Sequence, residues 1–238
     1  MSNAVSLDPA ASQVAVDPGI YEIIKVFIQE GGFFMYPILV VLAIGLGIVL
    51  ERVIYLQATK ARNKKIWDQV FPMIAKGQFR QAMESVKDAP AGIGRVIAYG
   101  LERARLSRRH DDIELAMEEG LMEVLPRLET RTSYISTLAN IATLLGLLGT
   151  IIGLIQAFTA VANADPADKA DMLSASISVA MNTTAFGLIA AIPLLLSFSF
   201  ISSMTNKVVD SMEMASVKFL NAFRQVAAQQ EQRGADGQ

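Results

Sequence analysis

The chain has 238 residues, of which 52% are hydrophobic and 18% charged, with 21 basic and 23 acidic side chains and no cysteine. Disulfides and thiolate-bound metals are therefore excluded, and the near-zero charge balance offers no basic excess for a nucleic-acid partner. Charge is distributed too unevenly for a water-soluble domain of this size.

Residues 1–18 are rich in Ala, Ser and Pro and predict a disordered lead without the basic start of a signal peptide. Over 19–30, Ile20, Ile23, Ile24, Phe27 and Ile28 recur at helical spacing, predicting a short amphipathic helix at a membrane–water boundary or against a neighbouring subunit. Gly31 to Leu50 then carries no charge. The first span is predicted over 31–56, with Phe33, Phe34 and Tyr36 at one interface and Tyr55 near the other. Glu51 and Arg52 mark its end and are expected to anchor it at the headgroups.

A cytoplasmic helical region is predicted over 57–131. Ile66–Ala75 reads as one helix, Gln78–Val86 as the next after Gly77, and Ile93–Leu106 as a third after Pro90 and Gly92. Asp111 or Asp112 is positioned to cap a long helix running towards the second span, with Pro126 kinking or interrupting it. Glu114, Glu118, Glu119 and Glu123 form a charged stripe, expected to be a solvated face or a source of salt bridges between subunits. His110, the single histidine, is expected at the surface.

Two further uncharged runs, Thr132–Ala164 and Met172–Asn206, predict spans over 132–162 and 172–206, joined by a short polar loop over 163–171. Both runs exceed the roughly 20 residues a bilayer requires, so both helices should project beyond it into a cytoplasmic bundle. A C-terminal helix and tail follow over 207–238, with fraying expected from Gln229. The fold class is thus an all-α membrane protein with three transmembrane helices, two of them extended into a cytoplasmic helical bundle.

Fourteen of the basic residues lie between Thr59 and Thr132 and four follow the third span. The positive-inside rule places those segments in the cytoplasm, and the N-terminus and the 163–171 loop on the other side.

No Asp, Glu, Lys, Arg or His lies inside any of the three uncharged runs. A proton pathway normally needs such a group, so the chain by itself lacks one. Nothing in the sequence resembles a catalytic centre, and no metal or cofactor site is expected. What remains is a set of small and hydroxylated residues. Ala139, Thr143, Gly146, Thr150, Gly153 and Ala157 share one helix face, as do Ala180, Thr184, Gly187 and Ala191, with Asn182 and Thr183 beside them. Such faces serve tight helix packing, in which Gly149 and Pro193 are also expected to take part, or they line a narrow pore. Both uses are compatible.

The stretch LLGLLGTIIGLIQAF (Leu144–Phe158), followed by NTTAFGLIAAIPLLL (Asn182–Leu196), resembles the paired signature of the MotA/TolQ/ExbB proton-channel family. Residues Gly31–Leu56 and the three-span topology resemble its ExbB/TolQ branch. The resemblance implies a pentamer in the inner membrane around an ExbD/TolR-like single-span protein, whose membrane Asp carries the proton. It also implies that Thr150 and Thr184 face the pore, and that the machine driven is TonB-type import, envelope maintenance or gliding motility. Many ExbB-type chains carry a Glu five residues before the threonine that Thr184 matches; here the position is Val179. A sodium-driven variant, ligated by Asn182 and Thr183, is an alternative, as is a non-conducting scaffold.

Overall fold

A computed structural model describes residues 32–87, 89, 92–107, 109–162 and 164–235. The N-terminal lead and the 19–30 helix fall outside them. Among the described residues there are six helices and no strand: α1 (Met35–Ala75), α2 (Phe79–Val86), α3 (Ile93–Leu106), α4 (His110–Glu129), α5 (Thr132–Ala162) and α6 (Lys169–Ala235). Three stretches are long and apolar enough to cross a membrane, within Met35–Ala75, His110–Ala162 and Lys169–Gln229. Only 17–33% of their apolar windows is buried within the chain, which leaves the remainder for lipid or other chains.

The bounds of α3 and α5 coincide with those expected; those of the longer helices do not. α1 continues unbroken to Ala75, where a separate helix from Ile66 was expected. Between the two lie Ala58, Lys60, Ala61, Arg62, Lys64 and Lys65, all good helix formers, with neither Pro nor Gly to stop the chain. α6 begins at Lys169, three residues before the expected start of the third span, and stays helical to Ala235 instead of fraying from Gln229. The break before the second span is also displaced. α4 passes through Pro126 and ends three residues later, where Thr130 returns its N–H (3.0 Å) and hydroxyl (2.6 Å) to the Pro126 carbonyl. Arg131 then takes the left-handed conformation at φ 63° and α5 starts.

The chain divides into two compact units. One comprises residues 39–144 and 188–238. In it, the three-residue link Ser107–Arg109 makes α3 and α4 an antiparallel hairpin. Gly100 and Gly120 permit the close approach: a Cβ on Gly120 would sit 3.1 Å from the Val96 Cα, and one on Gly100 2.8 Å from Met117. Ile97, Leu101, Ile113, Met117 and Phe219 fill the core, and Phe79 and Phe219 both pack on Phe223. The buried Asn63 of α1 accepts the Ile93 N–H at 3.2 Å, so the first turn of α3 is capped from another helix. Gly92 (φ 79°) must be glycine there, because a Cβ would overlap the Asn63 carboxamide.

Arg52 and Glu51 belong to the same unit and hold the elbow between α4 and α5. Arg52 is 3% exposed and donates through Nη2 to the Leu128 carbonyl, one of the last acceptors of α4. Its guanidinium also lies 4.8 Å from the Tyr55 ring centre. Glu51 pairs with Arg131 at 3.0 Å. These two residues make specific contacts within the chain, beyond the anchoring expected of them.

The described part of the other unit begins at residue 32, runs to 38, resumes over 145–187 and contains the facing portions of α5 and α6.

Candidate functional site

In the second unit the glycines of α5 lie against α6 at backbone distance. A Cβ on Gly146 would stand 3.2 Å from the Gly187 Cα and 3.3 Å from both the Thr184 Cα and the Thr183 carbonyl oxygen. One on Gly153 would be 2.9 Å from the Ala180 Cβ, and one on Gly149 would overlap the Thr183 methyl and approach Phe34 at 3.3 Å. The seam therefore uses Gly146, Gly149 and Gly153 of α5 against Ala180, Thr183, Thr184 and Gly187 of α6. Small residues are required because any larger one would separate the backbones and forfeit the dispersion contacts that hold membrane helices together.

The hydroxyls differ in what they do. Thr184 donates across the seam to the Gly146 carbonyl at 2.8 Å. Thr150 donates to Leu147 O at 2.6 Å and Thr183 to Val179 O at 2.9 Å, each within its own helix. Thr183 is buried, Thr150 and Thr184 are half-buried at the seam's edge, and Asn182 is half-buried beside them. Each of these hydroxyl protons is committed to a carbonyl, so what the threonines offer a further ligand is an oxygen lone pair. Such an oxygen accepts from water or hydronium, or touches a cation. Val179 approaches Gly32, which has φ 73°, so that a Cβ there would be 3.2 Å from a Val179 methyl.

The remaining predicted residues lie in the first unit. Thr143 is half-buried and donates to Ala139 O at 3.2 Å, Ala191 is buried, and Pro193 is exposed within α6. Of the α5 face expected from sequence, Ala139, Gly146 and Ala157 are buried and Gly153 meets Ala180 of α6. Gly146 and Gly149 lie in the buried row of α5, whereas Thr143 and Thr150 flank it. His110, expected at the surface, starts α4 half-buried, with Nε2 shielded and without a partner. Among the described residues no three His, Asp or Glu side chains gather as metal ligands would.

A sequence profile of the MotA/TolQ/ExbB proton channel family matches residues 88–214, more than half of the chain and including both helices of this seam. The chain belongs to that family. A chain of Methanothermobacter thermautotrophicus named as a biopolymer transport protein ExbB homolog is 27% identical over 188 residues, which are 78% of this chain and 65% of the relative. The chain thus spans just under two thirds of that relative's length. Family membership and the three apolar helices together make this a multi-pass inner-membrane protein.

The contacts that sequence reasoning missed are those of Glu51, Arg52 and Asn63. Each is a polar residue on α1 whose partner lies 30 or more positions away. No local pattern announces such a pairing.

Proposed function

We propose that the chain is the channel-forming stator subunit of a proton-motive-force-driven motor in the inner membrane, assembled as a homo-oligomer with an ExbD/TolR-like single-span partner. The observation that carries this reading is the α5–α6 seam: committed threonine hydroxyls at its edge, in spans without an Asp, Glu, Lys, Arg or His. Such a chain supplies a polar path but no titratable relay. The relay then belongs to the partner's membrane carboxylate, which requires the partner to sit where Thr150 and Thr184 can reach it. TonB-type import is the leading use of the work, with gliding motility and envelope maintenance as alternatives.

The deciding experiment is proton uptake by proteoliposomes containing the chain co-purified with its single-span partner. Thr150→Val and Thr184→Val keep the side-chain shape and remove the oxygen. Both should insert and assemble but conduct at least about tenfold less. Full conduction by both variants would overturn the pore assignment. A non-conducting scaffold is favoured by one specific contact, the Thr184 hydroxyl bonded to Gly146 as a packing bond would be. On that reading the intact assembly conducts no better than protein-free vesicles.

A further inference from the structure

Two clefts flank the cytoplasmic part of α6 and carry opposite charge. One, of about 360 Å³, lies between α4 and α6, with Glu114, Glu118 and Glu213 around Met122, Val217 and Leu220. The other, of about 320 Å³, lies between α1 and α6, with Lys60, Lys64 and Lys218 around Trp67, Met214 and Ala215. Glu213, Val217 and Leu220 follow each other at steps of four and three, and Met214 and Lys218 at a step of four, so each set forms its own row along α6.

Each cleft exposes large apolar side chains among its charges. Met122 is 71% exposed, Met214 57% and Val217 54%. All three lie well outside the uncharged runs, where lipid cannot cover them. Among the described residues the ion pairs are Arg95–Glu123 and Arg131–Glu51, and none of the six cleft charges takes part in one. The molecule thus presents two unmatched surfaces, three acidic groups and three basic groups, each around an apolar floor.

We infer that these surfaces are the two halves of one contact: the α4–α6 acidic cleft of one copy receives the α1–α6 basic face of the next. The occupant is a second copy because a single chain carries both complementary halves. Because the halves differ, the contact is head-to-tail. Each copy then offers its other half to a further copy, so the contact propagates beyond a pair, whereas a two-fold dimer centred on either cleft alone would set like charges together. This deepens the reading of the chain as one copy in a homo-oligomer and rests on it.

The cysteine-free sequence permits a clean test with the full chain in membranes. Met122→Cys and Met214→Cys are placed in one chain and treated with a short bismaleimide. A ladder of products larger than dimers is expected. Chains bearing only one of the two cysteines should remain monomeric, and a mixture of the two single variants should stop at dimers. Glu114→Lys/Glu118→Lys should lower the ladder yield by about tenfold, and adding Lys60→Glu/Lys64→Glu should restore it. Dimers from either single-cysteine chain, absence of the ladder, or failure of the charge exchange to restore it would overturn the inference. The last result is the one expected if the lysines meet lipid headgroups. A ladder from a complex that conducts no protons would remove the channel and leave this contact standing, and conduction without a ladder would remove the contact alone.

Discussion

Arg52 shows how much one side chain at the end of a span can carry. Burying a guanidinium is costly unless its donors are met, and here one meets the Leu128 carbonyl at the end of α4 while Tyr55 covers the face. Arg52→Met should keep the volume but strand that carbonyl, lowering stability by about 2–3 kcal/mol as read from melting in detergent. Glu51→Gln breaks only the exposed pair with Arg131 and should cost under about 1 kcal/mol. His110 offers a second residue-level prediction. Burial holds its pKa below the ordinary 6.5, with Arg224 adding to the depression and Glu114 and Asp111 opposing it. With the folded pKa below the unfolded one, the unfolded chain takes up the proton first. The neutral ring therefore contributes its full stability above pH 6.5, and that contribution declines as pH falls below it. Melting temperatures at pH 8 and about pH 5.5 should differ less for His110→Gln than for the parent.

At the scale of elements, the seam between α5 and α6 is decided by where a Cβ would fit. Gly146→Ala puts a methyl against backbone atoms of Thr183, Thr184 and Gly187, none of which can rotate away. The variant should lose about 1–3 kcal/mol, measured as a lower melting temperature. Gly47→Ala is the control. Nothing lies within 4 Å of its Cβ position, so it should be neutral or gain up to about 1 kcal/mol from helix propensity. The face of α5 read from spacing includes Gly146 and Gly153, which pack on α6, but not Gly149, which packs there as well. A shift of one position moves a residue by about 100° around the helix, and only the neighbouring helix selects which side is buried. The acidic stripe of α4 was resolved in the same way. Glu123 accepts from Tyr99 at 2.8 Å and Arg95 at 3.2 Å, whereas Glu114 and Glu118 turn towards α6. The start of α3, by contrast, was legible because Pro90 and Gly92 break the chain before it.

For the whole molecule, the distribution of basic residues predicts which side each segment faces. In a chain without cysteine, Ala167→Cys should react with a membrane-impermeant maleimide from outside intact cells, and Ala61→Cys only after the membrane is opened. The reverse pattern would invert the topology and put the cytoplasmic clefts outside.

The sequence by itself determined the three spans and the helical class, because a bilayer tolerates only long uncharged segments with internally paired backbones, and its motifs over 144–158 and 182–196 carried the family. Those requirements act residue by residue along the chain and are written there. The tertiary structure alone decided that Thr184 bonds Gly146 across 38 positions, that Arg52 closes α4 across 76, and that α6 separates an acidic cleft from a basic one. Each of these depends on the rotation of one helix against another, which is set by packing between distant segments and leaves no periodicity in either of them alone.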